Sequence, residues 1–478
     1  MMSDKTMGIT GHDQCDRVMP IAGGQGWRNV AVAGPELAGA ALKILCDVGM
    51  RHTTLVHHHW NATPPHPYEL LRIEEMDGSP LNSSRIGRRW HRPPYAFPLR
   101  LARYAPLSAE PEALDFAVIG TRGTRSEFCE RVEGIAARLV EDAIVGASRG
   151  HAGLSLDTDE LRSRHRCRSA AVDHTIAKWH TRLFSEWWSV GMTATPLTDI
   201  VRTGATGRVQ WLSPDRGNAY LADPFPWPGT NMLLCEEMPF SGGNGRIVAL
   251  APDWDGLLRH STVVLETGDH HSYPCAIKDG ESIYFLPEAT KRGATTLYRL
   301  MPGKDEPTPL CAVAPGRRLA DPTLFRDADH YWIACTDLDI GTHDNLCLLH
   351  AREPTGPWQP HRCTPVKIDI CGARPAGPLF RLGSELFRPG QDCARTYGAA
   401  VVIHRVEELS PEHYRETVVT RVLPDPRGPF PHGLHTLAAG QEGVWLDGKR
   451  FVFDPAGLLR KTMRVAKRAA DRVRSPQK

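Results

Sequence analysis

The chain has 478 residues, of which 41% are hydrophobic and 23% charged, and a net charge of +2 at pH 7. That length exceeds what one core usually holds and implies two domains, while the composition excludes global disorder. The near-neutral charge, with no basic face or recognition motif in the body of the chain, argues against a nucleic-acid partner.

Residues 1–26, opening "MMSDKTMGITGHDQCDR", read as a disordered N-terminus without the cationic and apolar regions of a secretory signal. Residues 27–200 read as a small α/β domain with a linking helix. "NVAVAG" and "LDFAVIG" are short buried strands, and "PELAGAALKILCDVG" and "SEFCERVEGIAARLVEDAIVGA" have helical apolar spacing. Three adjacent histidines in "HTTLVHHHW" alternate faces on a strand and cannot all ligate one metal, so no metal-binding residue and no cofactor is assigned. "GGQG" at 23–26 is too short for a dinucleotide loop, and neither GxSxG nor a Walker sequence occurs. "RSAAVDHTIAKWHTRLFSEWWSVG" reads as a long amphipathic helix leading into the second part, and a chain starting near residue 200 is expected to stay soluble.

After residue 200 helix signals nearly vanish, and glycines and prolines separate short runs of Val, Leu, Tyr and Phe. Asp223-Pro224, Tyr273-Pro274, Asp321-Pro322 and Arg374-Pro375 recur with nearly constant spacing, and a looser fifth anchor follows at His435. Each of the first four precedes an apolar strand that ends on an acid: Glu236 or Glu237, Glu288, Asp337 and Asp392. A period of about 50 residues with several short strands per unit is the scale of a β-propeller blade. The fold class is therefore mainly β, a five-bladed propeller over 205–455 preceded by the small α/β domain. A basic tail, 456–478, follows, where weak membrane-surface contact competes with a solvated helix.

No apolar run approaches the roughly 20 residues needed to span a bilayer. The 12 cysteines are scattered singly, as in a reduced set of buried thiols, and the expected location is cytoplasmic, which leaves the sequons at Asn61 and Asn82 without meaning.

Structural repeats need glycines, turns and core positions to match, but not carboxylates aimed at an axis. Asp223, Glu288 and Asp321 are the catalytic candidates: acids that converge at one mouth of a channel have their pKa values pushed apart, as glycoside hydrolysis requires. Asp223 would serve as base or nucleophile, Glu288 as acid, and Asp321 as pKa modulator or substrate-orienting group. His271, Tyr273, Arg374, Arg388, Gln391, Asp392 and His435 supply hydrogen bonds and rings for a glycan or sugar conjugate. The same residues also read without chemistry, since Asp before Pro caps turns and Arg beside acids forms structural ion pairs.

The ordered phrases "VQWLSP", "YLADPF", "HHSYP", "FLPEAT", "LYRL", "LADPTLF", "GPWQPH", "ARPAGPLF", "RPGQDC" and "HGLHTL" resemble the N-terminal domain of the plant glucosamine inositolphosphorylceramide transferase family and its bacterial relatives. The resemblance covers roughly 205–450 and implies a five-bladed propeller similar to the arabinanase, levansucrase and invertase superfamily, whose acids on the first blades perform hydrolysis or glycosyl transfer. By blade position it matches Asp223 and Asp321 to those acids. In the plant proteins glycosyl transfer belongs to a separate C-terminal domain, which nothing here resembles. Some bacterial relatives carry a formyltransferase-like domain, but the Asn, His and Asp motif of formyl transfer is not intact before position 190. The expected function is action on, or transfer of, a sugar of a glycan or glycoconjugate by carboxylate acid/base chemistry. The alternative is a non-catalytic glycan-binding propeller that supports polysaccharide or glycolipid synthesis. A third reading is a structural interaction platform, which predicts no converging acids. Whether the chain is an enzyme, and its oligomeric state, stay open at this point.

Overall fold

The computed structural model describes residues 30–33, 57–58, 69–75, 81, 86, 90, 96–104, 111–144, 180, 183–212, 218–240, 242–252, 258–289, 295–300 and 306–454. The expectations for the N-terminus, the "GGQG" loop, the "PELAGAALKILCDVG" helix, both sequons and the basic tail lie outside these residues.

Before residue 150, short strands build one sheet. Val30–Ala33 pairs in parallel with His57–His58 and with Glu69–Glu75, and Ala96–Tyr104 then Glu112–Gly120 extend the sheet on the other side of Glu69–Glu75. The helix Arg125–Ile144 follows with Phe128, Val132, Leu139 and Val140 buried, at the helical spacing that its sequence shows. The chain separates into two compact units, and the larger takes in residues 117–128 as well as everything from 184 onward. Within that larger unit Val118 bridges Asp369, and the Gly120 N–H donates to the Asp344 carboxylate at 3.3 Å. No helix among the described residues is long and apolar enough to cross a membrane.

The larger unit consists mainly of five antiparallel sheets. Blade one is Ala219–Pro226, Leu233–Pro239, Arg246–Pro252 and Leu258–Leu265; blade two is His271–Asp279, Ser282–Ala289, Thr296–Leu300 and Thr308–Ala312. Blade three is Leu319–Asp327, His330–Asp337, Asn345–Ala351 and Gln359–Pro360, with Lys367–Ile368 also paired to its third strand. Blade four is Phe380–Leu382, Glu385–Asp392, Ala400–Leu409 and Tyr414–Val422. Blade five joins distant parts of the chain, in the order Leu437–Ala439, Val444–Phe453, Phe184–Thr193 and Val209–Trp211. Phe184–Thr193 pairs with Val444–Phe453 over its whole length.

That last pairing corrects the sequence reading. The pattern of "FSEWWSVGMT" suggests part of a linking helix, but Trp188 and Val190 are buried in a sheet whose partner strand, Val444–Phe453, comes from the far end of the propeller sequence. The propeller therefore reaches back to residue 184, before the expected start at 205. Helical spacing and strand alternation are hard to separate in so short an apolar run, and a distant partner decides the outcome.

Shared apolar cores close the ring. Phe225, Phe285 and Leu324 belong to one cluster that joins blades one, two and three, and Trp332, Leu348 and Tyr414 join blades three and four. Phe387, Val401 and Leu446 join blades four and five, and Val190, Leu221 and Val248 join blade five back to blade one. Each sheet buries both faces against its neighbours, and the closed arrangement shelters most of the sheet edges.

The recurrent Asp-Pro phrase now has a structural meaning. The pairing of first and second strands shifts register between Ala222 and Phe225, between Ser272 and Cys275, and between Ala320 and Thr323. Inside these bulges Asp223, Tyr273 and Asp321 have φ of 51°, 47° and 50°. Positive φ is uncommon for non-glycine residues, costs on the order of 1–3 kcal/mol, and re-aims a side chain. Arg374 occupies the matching place in blade four, where Pro375 bridges Gly390, and His435 does so in blade five, shortly before the Leu437–Leu446 pair.

A chain beginning at residue 200 lacks the third strand of blade five and the 117–128 segment. It should be insoluble or melt without cooperativity, in contrast to the expectation from sequence. A soluble product with a sharp melting transition would show that this strand is dispensable.

Candidate functional site

The bulges bring one group of side chains together at the start of the inner strands. Asp223, Glu288, Asp321, Arg374, Gln391 and His435 are all buried there. Acids of three blades reach the backbone of the next. Asp447 Oδ2 accepts the Asp223 N–H at 3.2 Å, Asp223 Oδ2 accepts the Tyr273 N–H at 3.0 Å, and Glu288 Oε2 accepts the Asp321 N–H at 2.8 Å. Asp321 breaks the pattern by binding side chains. Arg374 donates Nε to its Oδ2 at 2.5 Å and Nη2 to its Oδ1 at 3.2 Å, and Gln391 Nε2 adds a bond to Oδ2 at 2.6 Å. This bidentate clamp engages both Asp321 oxygens.

Asp223 Oδ1 accepts the Thr436 hydroxyl at 2.9 Å and lies 3.7 Å from His435 Nε2. The other ring nitrogen of His435 lies 2.5 Å from Asp447 Oδ2, and Asp447 Oδ1 also accepts the backbone N–H groups of His435 and Thr436 at 2.9 and 3.0 Å. Trp188 stacks on the imidazole with ring centres 3.8 Å apart, and Tyr397 meets the same ring edge-on at 5.2 Å while the Arg374 guanidinium lies 5.0 Å over Tyr397. The His435 imidazole is thus packed between two aromatic rings beside the acids.

Burial dominates the electrostatics. It pushes Asp223 up to about 6, with Asp447 and Asp321 adding to the rise and the His435 charge opposing it. Burial, then the Asp321 charge, pushes Glu288 up to about 8 against the pull of Arg374. Glu236 is raised well above the usual carboxylate range by burial and by Asp223, Glu288 and Asp321. Burial alone would lower His435, but Asp447 and Asp223 outweigh it and the ring is raised. Neighbouring carboxyls in one site thus divide into proton holders and proton acceptors.

Other sequence candidates sit elsewhere or act indirectly. The sequence reading gives Arg388 to the substrate, but it is buried within blade four, where Nε and Nη2 donate to the two oxygens of Glu416 at 2.7 Å each. Lys367 Nζ joins the same carboxylate at 2.9 Å, which makes this an internal ion network in which Arg388 has no donor to spare for a sugar. Asp392 is held by Arg421 and by the Ala394 N–H rather than with the other acids. The Tyr273 ring is wholly buried, its hydroxyl 2.8 Å from Thr323 Oγ1 and accepting the Gly377 N–H at 2.6 Å, so its service to the site is its backbone N–H. His271 lies between Thr267, 2.8 Å from Nε2, and the Glu288 carbonyl, 3.2 Å from Nδ1, and so positions the Glu288 strand.

The sequence reading missed Trp188, Tyr397, Thr436 and Asp447. Asp447 alone carried a signal: "VWLD" is an apolar strand that closes on an acid, as in the other four units. Asp223, His435 and Asp447 also offer donor atoms within 4.8 Å of one another, a grouping that could face a cation. The close His435–Asp447 pair nevertheless already engages one of the two ring nitrogens.

The family model described as glucosamine inositolphosphorylceramide transferase 1, N-terminal, matches residues 187–428, half of the chain and most of the propeller. The chain belongs to that family. Among its relatives, glucosamine inositolphosphorylceramide transferase 1 of Oryza sativa subsp. indica is 32% identical over 208 residues, covering 42% of this chain and 28% of that protein. The Arabidopsis thaliana protein of the same name is 30% identical over 213 residues, covering 42% and 27%. The match thus spans little more than a quarter of either relative. Solved structures that are similar include an exo-beta-1,3-galactanase from Phanerochaete chrysosporium at TM-score 0.33 and 15% identity, covering 44% of this chain and 52% of that one. A GH43_1 enzyme from Xanthomonas citri matches at TM-score 0.35 and 12% identity, covering 50% and 89%. The propeller assignment rests on the strand pairing and the closed ring of cores described above.

These pKa shifts set the sign of a stability profile. A carboxyl whose folded value is raised holds a proton that the unfolded chain has lost, so its stabilising effect is complete below the unfolded value and fades as pH rises through the folded one. From ordinary values of 3.8 for Asp223 and 4.5 for Glu288, the loss runs to about pH 6 and about pH 8 respectively. The melting temperature should fall between pH 5 and pH 8, and Glu288→Gln should flatten the part above pH 6. A profile that rises over this range would contradict protonated acids in the folded site.

Arg374→Met should destabilise the propeller by about 3–5 kcal/mol, because it strands a buried Asp321 carboxylate. Denaturant unfolding at pH 7 measures this, and a change below about 1 kcal/mol would show that the clamp is not the support described.

Proposed function

We propose that the propeller acts on, or transfers, a sugar of a glycan or glycoconjugate by carboxylate acid/base chemistry. The observation that carries this reading is the unequal setting of three converging carboxyls on adjacent blades: Glu288 is pushed up to about 8, Asp223 to about 6, and Asp321 has both oxygens engaged by Arg374 and Gln391. Glu288 donates its proton to the leaving oxygen as the glycosidic C–O bond breaks. Water or an acceptor hydroxyl forms the new bond to the same carbon and gives its proton to Asp223. His435, held by Asp447, favours the ionised form of Asp223 and is itself packed against Trp188 and Tyr397.

The transferase name of the relatives supports a sugar-handling role, although the match covers little more than a quarter of them. A second reading, a glycan-binding module that serves a separate synthetic enzyme, draws on a different observation. Asp321 has both oxygens engaged by Arg374 and Gln391, and Asp223 has both engaged by Tyr273 and Thr436, the saturation expected of acids built for position.

Asp223→Asn separates the two. Sugar release or transfer on a panel of glycans and glycoconjugates should fall by orders of magnitude, while glycan affinity and melting temperature change little. The unmodified protein should show a bell-shaped rate profile, rising through about pH 6 as Asp223 ionises and falling through about pH 8 as Glu288 loses its proton. An inactive unmodified protein whose glycan binding survives Asp223→Asn would establish the binding module instead.

A further inference from the structure

The end of the inner strands away from the carboxylates carries a second feature. Blade one turns there from Pro226 to Met232, and blade five turns from Ala439 to Glu442; together with Met192, Gln210 and Leu212 these segments enclose a cavity of about 440 Å³. Asp223 and Pro226 lie on one strand, and the extended chain between them puts about 10 Å between the bulge and the cavity edge.

Two indoles, Trp227 and Trp445, line the cavity beside Met232, and the amides of Gln210, Asn231 and Gln441 ring it. Burial grades in the same order. Leu212 is buried, both indoles are partly exposed, and the amide residues are exposed. Both turns are preformed: the Trp227 N–H donates to the Met232 carbonyl at 2.9 Å, and the Gly440 N–H donates to the Gly443 carbonyl at 2.8 Å. Gly440 is needed for this packing, since a Cβ there would lie 2.8 Å from the Trp445 ring. Among the described residues neither indole N–H has a protein acceptor, so both remain available to a ligand.

The lining chemistry selects the ligand class. Among the described residues of the lining Glu442 is the only charged one, and an acid does not attract a phosphate or carboxylate. An alkyl chain would use the apolar surface and leave the amides idle. A pyranose ring uses both, with its C–H face against an indole and its edge hydroxyls on neutral amides, in a pocket of ordinary small-ligand size. We infer that this cavity at the junction of blades one and five is a second, non-catalytic site for a neutral or amino-sugar pyranose unit. It is separate from the carboxylate site and does not depend on the acid/base reading.

The test uses the full chain and the methyl glycosides of glucose, galactose, mannose and glucosamine, with titration calorimetry and tryptophan fluorescence as readouts. At least one glycoside should bind and perturb indole emission. Trp227→Ala and Trp445→Ala should each weaken that binding about tenfold. Gln441→Ala, on an exposed turn where truncation removes no core packing, should weaken it by a smaller factor, and Asp223→Asn should leave it unchanged. Three outcomes would overturn the proposal. One is that no glycoside binds. Another is that a sugar-free octyl detergent binds as tightly as the glycosides. The last is that binding disappears in Asp223→Asn and survives in all three cavity variants, which would place the sugar at the carboxylates alone.

Discussion

The structure depends on a relay of hydrogen bonds in which a buried acid of one blade accepts the strained backbone N–H of the next: Asp447 to Asp223, Asp223 to Tyr273, Glu288 to Asp321. Bulges with positive φ are costly and persist only where the surroundings over-determine them. Here a carboxylate aimed at each bulge supplies that constraint, and the bulge in turn aims the acids at a common centre. Spending carboxylates on backbone amides is an expensive way to join sheets, because burial resists their ionisation. Burial raises both Asp223 and Glu288, and the His435 charge opposing the rise at the first while the Asp321 charge adds to it at the second separates them in proton affinity.

Blade three departs from the relay in an informative way. The residue that meets Asp321 from blade four is an arginine side chain, so one junction of the ring is ionic where three are amide to carboxylate. The substitution commits both Asp321 oxygens to side-chain donors. Buried ion pairs contribute little net stability compared with apolar packing, so the Asp321–Arg374 pair is better understood as setting geometry and charge than as holding the ring together. The Arg388–Glu416–Lys367 network, which ties Lys367 of blade three to blade four, satisfies its own members and has no comparable outlet.

Much of this was legible in the sequence because the bulge has a local signature. An Asp or Tyr before Pro, returning in blades one to three, marks a backbone irregularity, and Asp223 and Asp321 so marked lie together with Glu288. What could not be read were contacts whose register depends on distant pairing. Trp188 stands in a run that suits helix or strand equally, and only its partner strand, Val444–Phe453, decides between them. Arg388 and Gln391 stand close together in one polar phrase, and the strand's alternation sends one to Glu416 and the other to Asp321. Tyr273 was marked correctly as a position, but its ring packs inward while its amide serves the site.

The composite fifth blade bears on the order in which the molecule can be made. The chain emerges from 184 to 453, and for most of that synthesis the strand Phe184–Thr193 can pair on one edge only, with Val209–Trp211, because Val444–Phe453 is among the last segments to appear. Four blades can assemble in sequence while a half-paired apolar strand waits, and ring closure over so long a loop adds only slowly growing entropy but much delay. Asp447 and His435 arrive in the same late segment. The acid of the first blade therefore meets Asp447, His435 and Thr436 only at the moment of closure, so that an incomplete chain presents Asp223 with its Tyr273 N–H but without the charges that tune it.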